Sequence, residues 1–343
     1  MQVLAAMTPE LPLSEVGAYV RRVERLGFDG VHIAETIHDS LTVAALAAEH
    51  TTRLRIRTAV TLAFVRSPTL TAYAAWDLAL LSGGRFELGL GSQIRQNIED
   101  RFGMPWSEPQ ARMREYVEAL QALFAAFGSG GPIDYTGDSY RLTRLQPYFN
   151  PGPCDITPPP IWLGAVNAGM CELAGRVAHG VVTHSTNSDP EYLRDVVKPG
   201  LQRGAAAAGR GEAPQLVVST AIATGRTDDE VAAQWERQRR MLAFLLSTPA
   251  YAGALKRRGW TSLPDRLRTL TRDQRWDELS AVLDDTVLDA LVVRGRYDEL
   301  PQLLWGRYGD IADGLVLPPP AGTDDEPLAR CIREMRRGPR SVE

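Results

Sequence analysis

The sequence contains little cysteine and no cysteine pattern. Its three cysteines among 343 residues, Cys154, Cys171 and Cys331, lie far apart and form no Cys-x-x-Cys motif. This argues against a disulfide framework and indicates reduced thiols, as in a cytoplasmic protein. The five histidines have no spacing typical of metal ligands, so we expect no metal site.

Long hydrophobic runs and an excess of basic residues are also missing. The longest apolar runs, such as 242–246, are far short of the ~20 residues that a membrane-spanning helix needs. The N-terminus has neither the basic region nor the apolar segment of a signal peptide. The net charge is −4, and Lys and Arg are not clustered with aromatic residues, which argues against nucleic-acid binding. Since 44% of the residues are hydrophobic, the chain can bury a large core.

Short apolar runs alternate with longer segments of helical period along the chain. The runs are rich in aliphatic residues, as in strands that are buried on both faces. The segments between them carry apolar residues at helical spacing. We predict strands at 2–7, 30–35, 54–61, 86–91, 160–165, 180–185, 216–224 and 314–317. We predict helices at 13–26, 68–82, 110–127, 167–178, 189–207, 227–246 and 326–337.

Eight strands with helical connections favour a closed (β/α)8 TIM barrel over an open doubly wound sheet. A bare barrel needs ~250 residues, so this chain has room for insertions. We place them near 98–109, near 128–159, where "YTGDSYRL" indicates a hairpin, and near 247–300. Residues 1–343 are predicted to form one barrel domain.

The stretch Gly89-Leu90-Gly91 raises the question of a dinucleotide fingerprint. That motif needs Gly-x-Gly-x-x-Gly on the first βα turn, but Ile94 stands at the third glycine position and the stretch lies on the fourth unit. In a barrel, the same glycines lie at the C-terminal end of a strand, where loops build the active site. They either let the backbone approach a flat ligand or relieve crowding inside the barrel.

Several segments together closely resemble the luciferase-like monooxygenase superfamily, and particularly its branch that depends on the deazaflavin coenzyme F420. They are "RIRTAVTLAFVRSPTLTAYAAWDLALLSGGRFELGLGSQIRQNIEDRFG" and "PPIWLGAVNAGMCELAGRVAHGVVTH". The resemblance extends over nearly the whole chain. It implies a bacterial luciferase-like barrel with an isoalloxazine-like ring across its C-terminal mouth.

The resemblance also implies which residues contact the ring. Strand 3 of such proteins commonly carries a non-prolyl cis peptide behind the ring, which by position falls at Thr58–Ala59. A ring-contacting asparagine matches Asn97, whose amide both donates and accepts; capping of the next helix is the alternative role. Ser92 and Gln93 are weaker candidates for the same pocket.

The remaining candidates end strands 2, 5 and 6. The turn Gly164-Ala165-Val166-Asn167 enters a helix, whose first N–H groups favour an anion such as the phosphate-bearing tail of the cofactor; Asn167 can also cap that helix. Thr183 and His184 face the same mouth by position. Several relatives have Asp-His where this chain has Glu35-Thr36, with the acid contacting the ring and the histidine handling protons. The resemblance thus implies that Glu35 contacts the cofactor ring, while proton transfer falls to Glu35, His184, His38 or solvent.

We therefore expect an F420-dependent oxidoreductase that transfers hydride between the deazaflavin C5 and a small organic substrate. The alternatives are an FMN-dependent flavin monooxygenase on the same barrel and a non-catalytic barrel that only binds a ligand or partner. Relatives usually form homodimers, to which the apolar residues Leu78, Leu81 and Phe86 could contribute; burial within the subunit explains these residues equally well. Aromatic residues of two insertions are expected to roof the pocket or to pack on one another: Trp106, Tyr135, Tyr140, Tyr148 and Phe149.

Overall fold

Eight parallel strands close into a barrel in the computed structural model, which describes residues 1–319 and 325–338. Around the barrel the order is β1, β2, β3, β5, β8, β9, β10 and β13, and β13 pairs with β1. The predicted (β/α)8 fold is thus confirmed. The strands of the barrel and of two smaller sheets are β1 (Gln2–Ala6), β2 (Gly30–Ile33), β3 (Arg55–Thr58), β4 (Thr61–Leu62), β5 (Phe86–Gly91), β6 (Tyr135–Thr136), β7 (Arg141–Leu142), β8 (Ile161–Gly164), β9 (Gly180–Val182), β10 (Gln215–Ser219), β11 (Ala221–Gly225), β12 (Val292–Arg296) and β13 (Gly314–Leu317).

Helices connect the strands and cover the outside of the barrel. Their apolar faces pack on the outward side chains of the strands in one large hydrophobic cluster. No helix within the described ranges is long and apolar enough to span a membrane. The helices are α1 (Val16–Leu26), α2 (Ser40–Glu49), α3 (Pro68–Ser82), α4 (Pro109–Ser129), α5 (Ala168–Val177), α6 (Pro190–Tyr192), α7 (Lys198–Ala207), α8 (Asp228–Leu246), α9 (Ala252–Arg257), α10 (Leu263–Arg272), α11 (Trp276–Leu279), α12 (Asp285–Leu291), α13 (Leu300–Tyr308) and α14 (Glu326–Arg337).

The predicted strand at 216–224 is wrong as a single element, because the chain leaves the barrel at Thr220. β10 pairs with β9 and β13, whereas β11 pairs with β12 in a separate two-stranded parallel sheet. Both halves are apolar because each is buried, β10 in the barrel and β11 against α8, so the sequence carries no mark of the break. The insertion at 247–300 therefore contains a strand as well as the expected helices.

A second hydrophobic cluster lies under α8, α10 and α12, apart from the cluster around the barrel. Trp235 and Leu242 of α8 pack there, and Gln238 donates a hydrogen bond of 3.0 Å to the carbonyl of Ile222 on β11. The segment after the barrel's seventh strand thus builds its own core beside the barrel.

The inside of the barrel is divided between apolar and charged side chains. Leu4, Val182, Val217 and Val316 pack together with the ring of Trp162. Beside the Trp162 ring lies a group of buried polar side chains from neighbouring strands, Arg57, Glu87 and His32. Because side chains alternate along each strand, the residue two positions after each of these, toward the C-terminal end of its strand, also points inward and faces the barrel mouth.

Candidate active site

Small residues form the floor of the barrel mouth. Four strands each carry a small residue at, or directly after, their C-terminal end, at a position that points into the barrel. These residues are Ala6, Ala59, Gly91 and Gly164. Ala6, Ala59 and Gly164 are partly exposed, whereas residues deeper in the same strands are buried. These four positions carry no long side chain, and the side chain of Val60 packs over Gly91 and Gly164.

The two glycines of Gly89-Leu90-Gly91 are needed for packing on strand 3 and on the residues that follow it. A β-carbon at Gly89 would lie 1.8 Å from the carbonyl oxygen of Thr58. The Thr58 hydroxyl donates to the Gly89 carbonyl and accepts from the Gly89 N–H, both at 2.9 Å. At Gly91, a β-carbon would lie 2.4 Å from Cγ2 of Val60. Thr58 is thus buried between strands and faces β5 rather than the mouth.

The cis peptide bond predicted at Thr58–Ala59 is wrong by one residue and lies at Ala59–Val60. The predicted strand 54–61 breaks there: β3 ends at Thr58, and pairing with β5 resumes at Thr61. The Ala59 N–H donates to the Ile33 carbonyl at 2.7 Å, which fixes the bulge to the end of β2. The run of alternating apolar residues continues through the bulge, so the sequence did not locate the irregularity.

Glu35 follows β2 and has both carboxylate oxygens engaged. Oε2 accepts from the Leu62 N–H at 2.6 Å, and Oε1 lies 2.6 Å from Nη2 of Arg66. Arg66 also contacts Asp39, and two acidic partners raise its pKa despite burial. Glu35 is therefore tied to the β4 side of the rim. Its role in proton transfer stays a prediction.

The loop after β5 carries three of the predicted ligand contacts. Asn97 begins a π-helical turn that ends at Arg101, and its side-chain amide makes no hydrogen bond to another described residue. Gln93 has a positive φ of 60°, and its amide oxygen accepts from the Ile94 N–H at 2.9 Å. Ser92 donates only to the Gln93 carbonyl, at 3.2 Å. Of the three, Asn97 is the residue whose half-buried side-chain amide makes no hydrogen bond within the described residues and can bind a ligand.

The turn Gly164-Ala165-Val166-Asn167 leads into α5. Oδ1 of Asn167 accepts from the Met170 N–H at 2.9 Å, so the capping role expected for Asn167 is present. Earlier N–H groups of this helix start have no acceptor within the helix.

The carbonyls of this turn are held by Asn187, a buried residue that the sequence analysis missed. Its amide nitrogen lies 3.3 Å from the carbonyl oxygens of both Ala165 and Val166. Its Oδ1 accepts from the His184 N–H at 2.9 Å, which links the ends of β8 and β9. The signal for it is weak, because an Asn in a polar loop is usually a turn residue.

Thr183 and His184 end the β9 unit but face different ways. The hydroxyl oxygen of Thr183 accepts from the Ser219 N–H at 3.1 Å, so this buried side chain joins β9 to β10. His184 lies two positions after Val182, whose side chain points into the barrel, so the His184 side chain points inward as well. Its Nδ1 lies 2.9 Å from the Thr186 hydroxyl, and burial lowers the pKa of His184 to about 4.

The insertion at 247–300 reaches the mouth, which the sequence analysis did not predict. The ring of Tyr251 stacks on His184 with centroids 4.8 Å apart and an interplanar angle of 7°. Arg258 donates to the fully buried carboxylate of Asp189 from Nε (2.9 Å) and Nη2 (2.6 Å). These contacts join residues about 70 positions apart in sequence, and no local pattern predicts them.

A charged group lies beneath the floor. The fully buried guanidinium of Arg57 donates to Glu87 at 2.5 Å and lies 3.1 Å from Nε2 of His32. The same guanidinium lies 3.3 Å from the centre of the Trp162 ring, a cation–π geometry. Burial and the nearby arginine hold the pKa of His32 well below its ordinary value. The group fixes the strands under the mouth.

The aromatic residues expected to roof the pocket pack elsewhere in part. Trp106 packs edge-on against Phe64 beside β4, at 5.8 Å between ring centroids. The hairpin β6–β7 lies along α4, because the Tyr135 hydroxyl donates to Glu118 and the Tyr140 ring packs on Tyr116. Tyr148 and Phe149 are 91% and 56% exposed, so they do not roof the pocket, but their rings pack edge-on against each other at 5.2 Å between centroids, as the alternative expectation had it.

The family to which the chain belongs follows from these features and from its sequence. The sequence model of the family described as luciferase-like monooxygenase matches residues 2–313. The chain belongs to the luciferase-like monooxygenase family.

Two relatives and one solved structure are similar to the chain over most of its length. An uncharacterized protein of Mycobacterium tuberculosis is 38% identical over 316 residues, covering 92% of both chains. A second protein of that organism, named provisionally as a coenzyme F420-dependent oxidoreductase, is 29% identical over 301 residues, covering 82% of this chain and 84% of the relative. The coenzyme F420-dependent tetrahydromethanopterin reductase from Methanopyrus kandleri has the same fold, with a TM-score of 0.79, 20% identity and 98% coverage of both chains.

Proposed function

We propose that the protein is an F420-dependent oxidoreductase that transfers hydride between the deazaflavin C5 and a small organic substrate. The observation that carries the proposal is the floor of the mouth, which is built from the short side chains of Ala6, Ala59 and Val60, with Val60 packed over Gly91 and Gly164, and on which a planar three-ring group can lie. The relative named for coenzyme F420 supports the choice of cofactor.

The residues of the mouth have distinct roles in this proposal. When bound, F420 supplies or accepts the hydride at C5, so the protein need only bind, orient and exclude water. The amide of Asn97 pairs with the alternating C=O and N–H edge of the ring. The N–H groups at the start of α5 bind the anionic tail. Ala59, with Val60, supports the ring from below.

Proton transfer is assigned to solvent and not to Glu35. Both carboxylate oxygens of Glu35 are already engaged, one by the Leu62 N–H and the other by Arg66. His184 is neutral at physiological pH and acts as a hydrogen-bond donor. Glu35 serves to hold the rim in shape.

Titration of the apoprotein with F420 and with FMN, followed by fluorescence, tests the choice of cofactor. We expect saturable binding of F420 and much weaker binding of FMN. The reverse order would favour the FMN-dependent monooxygenase, which reacts with O2. Oxidation of reduced F420 by any organic acceptor would exclude a barrel that only binds a ligand or partner.

We also propose a homodimer in which α3 lies at the interface. Leu70, Leu80 and Leu81 on this helix are 68%, 47% and 50% exposed, an unusual apolar surface for a solvated helix. Leu78 and Phe86, which the sequence grouped with Leu81, are instead buried in the subunit's own core. Light scattering after gel filtration should give a dimer for the wild type and a monomer for the double variant Leu70→Asp/Leu81→Asp; a monomeric wild type would disprove the proposal.

A further inference from the structure

The segment from Pro249 to Arg258 is fastened to the ends of β8 and β9. Arg258 binds Asp189 after β9 with two hydrogen bonds. Gly253 packs beside the ring of Tyr192, where an added β-carbon would lie 3.5 Å from the ring. The Tyr192 hydroxyl in turn donates to the Val166 carbonyl at 2.8 Å. The segment is therefore a fixed wall on this side of the mouth.

The ion pair between Asp189 and Arg258 is the main fastening. The carboxylate of Asp189 is fully buried, while the side chain of Arg258 is 25% exposed. Asp189 also accepts from the Tyr192 N–H at 3.1 Å, so its charge is well solvated by donors. A buried carboxylate that loses its guanidinium is costly, so the pair holds the segment in this position.

One ring nitrogen of His184 has no partner within the part of the chain that the structure describes. The Thr186 N–H points at Nδ1, 3.4 Å away, and the Thr186 hydroxyl lies 2.9 Å from the same atom. Nδ1 is thus the acceptor, and the proton of the neutral ring is on Nε2. Nε2 has no hydrogen-bond partner among the described residues and is not one of the buried polar atoms. Since Tyr251 covers one face of the ring, the direction of the Nε2–H is fixed.

We infer that the His184 Nε2–H recognises an oxygen atom of the substrate, with Tyr251 as the specificity-determining wall and Arg258 as the residue that positions it. This inference rests on the proposed function. It assigns the substrate class as carbonyl compounds and the corresponding alcohols, because a hydrocarbon double bond offers no strong acceptor to Nε2–H. In the reduction, the carbonyl carbon takes the hydride, the C=O electron pair moves onto the oxygen held by His184, and that oxygen takes a proton from solvent.

The wall is tested by NMR titration of the His184 Cε1–H, identified by its loss in His184→Gln. Tyr251→Ala and Arg258→Met should each raise the pKa of His184 by at least one unit, because solvent then reaches the ring. Arg257→Met is the matched control, since Arg257 pairs with Asp195 at the surface, and it should leave this titration unchanged. Titration unaltered in both test variants, or altered equally in the control, would overturn the positioning role.

The substrate class is tested on the complex with F420. Cyclohexanone and methylenecyclohexane have the same shape and differ in the oxygen, so only the ketone should shift the His184 Cε1–H resonance. The ketone should also oxidise reduced F420, with kcat/KM at least tenfold lower in His184→Ala and partly restored in His184→Gln, whose amide N–H can donate. Equal shifts with both compounds, no shift with either, or equal activity in His184→Ala would overturn the assignment. Failure of the wild type to bind F420 would instead overturn the proposed function, and the NMR titration of the wall would still stand.

Discussion

The side chain of Val60 lies against the α-carbon of Gly91, so closely that a β-carbon there would be 2.4 Å from Cγ2. Val60 also lies over Gly164, where a β-carbon would be 3.2 Å from Cγ1. Two strand-end glycines on neighbouring strands thus make room for one residue of the bulge after β3. Gly-Leu-Gly in this chain is a packing motif that flattens the mouth, rather than a dinucleotide fingerprint.

Alanine at Gly89 and at Gly91 should have different consequences. At Gly89 the new β-carbon meets the backbone carbonyl of Thr58 at 1.8 Å, and a backbone atom inside a barrel cannot move aside. At Gly91 it meets a side chain, which can be shortened. We expect Gly89→Ala to lower the free energy of unfolding by about 3 kcal/mol and Gly91→Ala by about 1–2 kcal/mol, in the range of overpacked cores. Urea denaturation measures both.

Val60→Ala provides the control for this pair of variants. Removing the methyl groups of Val60 should restore most of the stability lost in Gly91→Ala and none of that lost in Gly89→Ala. Equal rescue of the two variants would show that the close contact at Gly91 is not with Val60.

Asn97→Ala should weaken cofactor binding without affecting the fold. The amide of Asn97 has no partner among the described residues, so its removal leaves no internal group unsatisfied. One or two lost hydrogen bonds cost about 1–3 kcal/mol, so the dissociation constant of F420 should rise about 5- to 150-fold. Fluorescence titration measures it. The exposed neighbour Gln96 gives the control, and equal affinity for Asn97→Ala and Gln96→Ala would remove Asn97 from the site.

The fold could be predicted from the sequence because its signal is repeated. The predicted strands 86–91 and 314–317 have the observed bounds, since burial on both faces makes each of them rich in apolar residues and glycine. The helix Ser40–Glu49 was not predicted, because its alanine-rich sequence has little contrast between its faces. The strand at 292–296 was not predicted either, because it is short and lies between helices within an insertion.

The site was harder to predict because its contacts depend on tertiary structure. The cap by Asn167 is local and could be anticipated, because a side chain and a backbone N–H three residues apart decide it. The engagement of Glu35 by Arg66 and the stacking of Tyr251 on His184 join separate elements. The resemblance to the family indicates which residues lie near the ligand, such as Glu35 and His184. Only the tertiary packing shows which of their atoms have no partner within the protein.

The buried pair Arg57–Glu87 should show strong coupling in a double-mutant cycle. Arg57 is fully buried and Glu87 is nearly so, and each would remain as a charge without its main partner in the single variants Arg57→Met and Glu87→Gln. Each should lower the free energy of unfolding by about 3–5 kcal/mol, as for other broken buried pairs. The double variant should lose less than the sum, because neither charge remains. Additive losses in urea denaturation would contradict the pairing.

Mild acid should destabilise the protein partly through His184. Burial lowers its pKa from 6.5 to about 4 in the folded state, so between these values the unfolded chain binds a proton that the folded chain does not. Stability therefore rises with pH across this window and is lost as the pH falls from about 6.5 towards 4, by at most about 1.4 kcal/mol per pH unit for one such group. His32, whose pKa is also held well below the ordinary value, acts in the same direction, so the wild type should lose stability more steeply with falling pH than one group alone would cause.

Urea denaturation at several pH values measures how steeply the free energy of unfolding depends on pH. This slope should be smaller for His184→Gln and unaltered for Ser185→Ala, which changes the neighbouring residue without removing a titrating group. A slope in His184→Gln equal to that of the wild type would mean that the imidazole is solvated in the folded protein, and the Tyr251 wall would then not shield it.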